Sequence, residues 1–162
     1  MAFSPALGRG RRARQRLRDD QDLLDALLRI VGVPVVACAA DGRLTHANRA
    51  ACKLLRGDWP MGTPPESWID ELFPRTPSGL PMEREDLPPV RALAGEVVRS
   101  VDVLVNIRGD DVLLSTHAGP INDERGRRRG AVVVMEDVTE QRRQEAQLRG
   151  ALRWLDAVSA GR

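Results

Sequence analysis

The sequence predicts an α+β domain, an antiparallel sheet with short helices and a flanking helix at either end. Three observations carry this. Apart from Arg99, apolar residues recur at every second position from Val97 through Val101, Val103 and Val105 to Ile107, the period of a half-buried strand. Leu23, Leu24, Leu27, Leu28 and Val31 recur instead at helical spacing. Eight of the eleven prolines fall between Pro60 and Pro89, which excludes long regular elements from the middle of the chain. The order read is helix, hairpin, three short helices, three antiparallel strands and an exit helix, with no internal repeat.

Each element has its own signal. Acids in the first turn open a helix over 20–31, and Gly32 with Pro34 ends it. Val33 to Ala40 is a short valine-rich run, too short for a helix, and reads as a buried strand. Asp41-Gly42 predicts a two-residue hairpin turn with both positions at positive φ, and Arg43 to His46 returns. Asn48 is placed to cap a helix over 49–55, closed by Gly57. Ser67 to Asp70 resembles a capping box ahead of Glu71-Leu72-Phe73, and a further short helix runs from Pro89 to Gly95. After the 97–107 strand, Gly109-Asp110-Asp111 turns the chain and Val112 to Ala118 comes back. Gly130 to Met135 is the strongest strand signal. Asp137, with Glu140 three residues on, predicts a variant capping box that opens a polar helix to about Ala160.

Composition narrows the function. The chain has 162 residues, 42% hydrophobic and 30% charged, enough for one domain with its own core. Aromatics stand at 3% with no tyrosine, too few for base-stacking platforms on single-stranded nucleic acid. Cys38 and Cys52 lack metal-ligand spacing and read as small core residues in a reducing compartment. The net charge of +2 conceals an asymmetry: residues 1–18 hold six arginines and no acid, while the remainder is net acidic. This arm reads as a solvated tail; phosphate contacts on nucleic acid or an anionic membrane surface are its alternatives. The stretch from Leu23 to Ala40 superficially resembles a signal peptide, and Val35-Val36-Ala37-Cys38 fits a loose lipoprotein box. Asp25 and Arg29 interrupt it, and Gly32 and Pro34 divide it. No apolar run reaches membrane-spanning length, so the chain is expected to be cytoplasmic.

Catalysis finds no support. Gly-rich phosphate loop, nucleophile elbow and His-Glu metal motif are all missing from the sequence. Carboxylate pairs such as Asp19-Asp20, Glu83-Glu85 and Asp110-Asp111 fall in caps and loops, with no apolar surround to separate their pKa values. The expectation is that the chain is not an enzyme and holds no metal.

Three stretches together resemble the PAS family of sensory domains: ADGRLTHANRAACKLLRG (40–57), LPPVRALAGEVV (87–98) and GAVVVMEDVTEQRRQEAQLR (130–149). The first is similar to the family's hairpin, capping asparagine and core helix. The stretch over 87–98 is similar to the segment around its central helix. That over 130–149 is similar to its last strand, its Asp-x-Thr junction and its signalling helix. The resemblance implies a five-stranded antiparallel sheet with short helices over one face and a cavity between them. It divides the chain into a basic arm over 1–19, expected to be disordered, a flanking helix over 20–32, the PAS-like domain over 33–138 and a C-terminal signalling helix over 139–162.

The resemblance also implies site residues. Leu54, Leu72, Val90, Leu93, Val103, Val105 and Val134 are expected to line a ligand cavity. Asp137 and Thr139 are expected to form the signal junction. Leu23, Leu24, Leu27, Leu28 and Val31, by their own pattern, make a face too apolar to leave in water, expected to pack on the domain's own sheet or to serve as a dimer face. Haem-binding members carry a histidine on the central helix, and residues 82–95 contain none. Flavin photosensors carry an Asn-Cys-Arg-Phe-Leu motif, which is missing. No haem or flavin cofactor is therefore expected, and His46 and His117 read as strand-end residues. The implied function is a sensor that binds a small, largely apolar ligand or a protein partner and signals through its C-terminal helix, as a homodimer through its flanking helices. The phrase LRWLDAVSA resembles the approach to a following domain in actinobacterial-type signalling proteins. That leaves open a sensor part of a signalling enzyme, a serine/threonine phosphatase or histidine kinase, with a nucleic-acid-binding regulator as a further alternative.

Overall fold

The computed structural model describes residues 15, 19, 22–24, 26–30, 32–57 and 59–160, which fall into two compact units divided after Val33. The first unit contributes helix α1, described at residues 15, 19, 22–24 and 26–30. Helical conformation is thus present at Gln15 and Asp19, ahead of the start near Asp20 that the sequence predicts. Gln15 Nε2 donates to Asp19 Oδ1 at 3.0 Å, one turn away. Gly32 ends the helix at φ +66°, its N–H on Leu28 O at 3.2 Å, as the glycine signal anticipates. Leu23, Leu24, Leu27 and Ile30 are exposed and Leu28 is half-buried, while Val31 and most of the basic arm lie outside the described residues.

The second unit holds one antiparallel sheet. In chain order come β1 (Val35–Ala39), β2 (Leu44–Ala47), α2 (Arg49–Leu54), α3 (Pro65–Leu72), a 3-10 turn (Arg84–Asp86), α4 (Pro88–Leu93), β3 (Val98–Ile107), β4 (Asp110–Asn122), β5 (Arg128–Asp137) and α5 (Thr139–Ala160). The strand order is β2-β1-β5-β4-β3, so the last strand sits at the centre. The core lies between one sheet face and helices α2 to α4: Val103, Val105 and Ile107 from β3, Leu114 from β4, Val133 and Met135 from β5, with Ala51, Leu55 and Ala92 from the helical side. Each such valine or leucine taken out of water contributes about 1.5–3 kcal/mol.

Close approach of β1 to β5 depends on Gly130. A Cβ there would lie 2.0 Å from Cys38 O, so the backbones meet only because glycine has none. Each sheet edge is bonded from outside at one residue. Leu44 exchanges bonds with Thr63 O and Gly62 N outside β2, and Leu104 pairs with Arg75 outside β3. Such bonds interrupt the open hydrogen-bonding row on which strands of other chains could add.

Several local expectations are corrected. The β1–β2 loop spans three residues, Ala40 to Gly42, bracketed by Ala39 N–H to Arg43 O at 2.8 Å, and only Gly42 has positive φ. Asp41 instead accepts from Arg43 N–H at 3.1 Å. The two-residue turn with both φ positive occurs at Arg108-Gly109 between β3 and β4. Helix α2 closes with Arg56, not Gly57, in the left-handed region, and Gly57 N–H reaches back to Cys52 O. Pro65 at the first helical position begins α3, leaving Ser67 inside the helix rather than at its cap. A bulge between Val98 and Val101, with Ser100 at φ +50°, resets the phase of β3. Val98 therefore points into the core and Val97 is exposed, opposite to the uninterrupted alternation.

Candidate functional site

A cavity of about 110 Å³ lies between the sheet and the helices. Its floor is β-sheet: Val36 and Cys38 from β1, Val103 and Val105 from β3, Leu114 and Thr116 from β4, Val133 and Met135 from β5. Its roof comes from Trp68, Ile69 and Leu72 of α3 and from Leu87, Pro88 and Pro89 at the start of α4, with Trp59 and Leu55 at one side. Among the described residues that line it, none carries a charge.

Of the seven residues expected there, Leu72, Val103 and Val105 line the cavity and four do not. Leu54 and Leu93 pack against the core outside the lining, because α2 turns Leu55 inward and α4 presents its N-terminal prolines to the space. Val90 is half-buried on α4. Val134 is one residue out of phase: it lines a groove on the opposite sheet face with Val97, Arg99 and His117, while Val133 and Met135 point inward. The run Val132-Val133-Val134 has no alternation, so its phase is illegible until the strand pairs. Leu114 and Thr116 carried a usable signal, the period-two return of β4 opposite Val103 and Val101.

Cys38 is buried and its thiol is pushed above its ordinary pKa chiefly by that burial, against a backbone hydrogen bond from Ala131. It is protonated at neutral pH and packs as a small apolar group. His46 and His117 are exposed and outside the cavity, and His117 Nδ1 accepts from Ser100 N–H at 3.4 Å. Among the described residues no group of three or more His, Cys, Asp or Glu could hold a metal ion. No described helix is long and apolar enough to cross a membrane.

Next to this wall lies a polar junction. Asp137 Oδ1 accepts from Thr139 N–H at 3.0 Å and from Thr139 Oγ1 at 2.6 Å. The Thr139 hydroxyl in turn accepts from Leu113 N–H of β4 at 2.9 Å, and Val138 N–H donates to Leu113 O at 2.9 Å. The predicted capping box is not the device used. Val138 O accepts the first helical bond, from Arg142 N–H, and Glu140 accepts from Gln144 instead. Asp137 therefore sits one residue ahead of the cap, its charge still at the positive end of α5. Arg142, one turn into α5, reaches Asp102 on β3 at 3.0 Å and Glu145 at 3.1 Å. Beyond it the helix has no buried residue, and Leu148, Leu152, Leu155 and Val158 form an exposed apolar stripe.

At the first core helix Asn48 is the cap the sequence anticipates. Its Oδ1 accepts from Ala51 N–H at 2.9 Å and also from Val35 N–H at 3.0 Å, which ties α2 to β1.

The second unit is thus an antiparallel sheet with an apolar cavity under short helices and a hydrogen-bonded junction between β5 and an exposed C-terminal helix. Residues 28–143 match the PAS fold family, and the chain belongs to that family of signal-transduction sensors. It is 26% identical over 96 residues to hybrid signal transduction histidine kinase I of Dictyostelium discoideum; the match takes in 57% of this chain and 6% of that kinase. The PAS domain of an HTR-like protein from Haloarcula marismortui is similar in fold, with TM-score 0.54 and 22% identity over 78% of this chain and 98% of that one. A light-oxygen-voltage domain studied with a flavin analogue superposes with TM-score 0.55 at 16% identity, over 79% of this chain and 93% of that domain.

Proposed function

We propose that this PAS domain senses occupancy of its apolar cavity by a small molecule and transmits that state through Asp137 and Thr139 to α5. One observation carries the reading. Leu114 and Met135 are cavity wall, Leu114 registers opposite Asp137, and the preceding residue, Leu113, is hydrogen-bonded to both Val138 and Thr139. Displacement of the wall by a guest would be felt at the first turn of α5 across a single residue, and the guest would favour one of two arrangements of that helix.

The volume supports a guest smaller than flavin or haem. Pockets for drug-sized ligands run to about 300–1,000 Å³, against about 110 Å³ here. The exposed faces of α1 and α5 support pairing with a second copy or a partner protein. The chain itself is read as non-catalytic and cytoplasmic, with its output in a following domain. Similarity to a small part of a histidine kinase supports that place in a longer signalling enzyme.

The test places spin labels at Arg99 on the sheet and Leu148 on α5 and measures their distance with and without toluene. Wild type is expected to show a shift, and Asp137→Ala to bind toluene without one. Bound toluene that leaves the wild-type distance unchanged overturns the coupling. For self-association, sedimentation of the wild type is compared with the Leu24→Asp, Leu28→Asp double variant. A dimer that becomes monomeric is expected, and monomers in both remove pairing through α1.

A further inference from the structure

The apolar stripe of α5 is uncovered among the described residues, and the charges beside it indicate what fits it. Leu148, Leu152 and Leu155 follow one another at steps of four and three, which sets them in line along the helix, each at least half exposed. Arg149 and Asp156 stand two turns apart on one flank of that line, and Ala151 and Val158 two turns apart on the other. All four are exposed, and among the described residues neither the Arg149 nor the Asp156 side chain has an ion pair or hydrogen bond. A second copy of α5 can lie along the stripe in two directions. Run parallel, each flank meets the opposite flank of the other helix. Asp156 then faces Ala151 of the second copy, Arg149 faces Gln144, and Glu145, next on the line towards the N-terminus, meets its own equivalent. Gln141 and Arg142 hold the Glu145 carboxylate in its charged form, each at 3.1 Å, so that meeting is repulsive. Run antiparallel, like flanks meet. Leu152 packs on Leu155, Ala151 faces Val158 and Arg149 faces Asp156, each twice by the two-fold symmetry, while Glu145 lies beyond the last leucine. Both charged positions gain an opposite charge, and both apolar ones an apolar neighbour.

We infer that α5 binds α5 of a second copy antiparallel, with Arg149 of each chain against Asp156 of the other. This deepens the pairing reading above and rests on it, and it is independent of the cavity. The leucines supply the attraction, and the flanking ion pairs, exposed to solvent, set the direction more than the affinity.

Sedimentation of the full chain reads the charges, and spin labels read the direction. Arg149→Asp and Asp156→Arg each set like charges together in the antiparallel pair and are expected to weaken dimerisation about fivefold to tenfold. The double exchange makes the charges opposite again and is expected to restore it. Ala146→Cys, Arg153→Cys and Ala160→Cys, labelled one at a time in a Cys38→Ala, Cys52→Ala background, lie at seven-residue intervals on one side of α5. The distance between the two labels of a pair is expected to be shortest at position 153 and longer at 146 and 160, where the labels are offset by about 20 Å along the axis. The charge exchange leaves the core untouched and decides the matter if cysteine removal loosens the fold. A dimer with equal distances at the three positions, or one indifferent to the single charge changes, overturns the inference while leaving self-association in place. A monomeric wild type overturns the inference and the pairing reading together.

Discussion

The cavity wall and the strand-to-helix junction occupy neighbouring residues of the same two strands, yet opposite physics holds them. Leu114 and Met135 are held by packing, which has no preferred direction and tolerates small changes of volume. Leu113, Asp137 and Thr139 are held by hydrogen bonds at 2.6 to 3.0 Å, which are directional and fail when a donor swings away. A soft region set against a stiff one suits the proposed function: apolar packing would admit guests of similar shape at little cost, and the polar junction would convert a small shift into a changed helix start. Both hairpin turns, too, are held by directional side-chain bonds: Asp41 accepts from Arg43 N–H at 3.1 Å and Asn106 Oδ1 from Gly109 N–H at 3.0 Å.

The largest expected effect belongs to the wall. Leu114→Ala should cost about 2–5 kcal/mol in denaturant unfolding, since the residue is 3% exposed and a void adds to the lost transfer energy. If the regions are as distinct as described, slow hydrogen exchange of the Leu113 amide should survive in this variant. Loss of protection there beyond the global destabilisation would mean that wall and junction are one unit.

A middle effect is expected at the junction. Asp137→Ala should cost about 0.5–2 kcal/mol, the range for removing a helix-start acceptor. Because the side chains of Asp137 and Thr139 share a hydrogen bond, the double variant with Thr139→Val should cost less than the sum of the singles. A coupling of at least about 0.5 kcal/mol is expected from the cycle. Strict additivity would show that the two side chains act separately.

The smallest effect is expected from Arg142→Gln. This ion pair fixes the first turn of α5 over β3, but its arginine side chain is 40% exposed, so solvent screens it. Its removal should lower stability less than either change above, and the difference should shrink in high salt. A loss equal to that of Asp137→Ala would move the hinge from the Asp137–Thr139 bond to the Asp102–Arg142 pair.

Much of the fold is legible in the residues taken a few at a time. Gly32 ends α1, Asn48 caps α2, prolines keep the middle of the chain short, and alternation over Val101 to Ile107 sets one sheet face. Such signals are local: a cap, a fixed φ or a period acts within a turn or two of its own residue. Asp137 and Thr139 are legible as a junction for the same reason, though not the role of Leu113, which is 26 residues from Thr139. The choice of Val133 over Val134, of Leu55 over Leu54 and of the α4 prolines over Val90 came only with pairing and packing. In the first two cases the neighbouring residues are identical in type, and in all three the decision rests on register or packing against a strand or helix distant in sequence. Gly130 shows the same limit. Its need for no side chain arises from the carbonyl of Cys38, far earlier in the chain, brought within contact by the sheet.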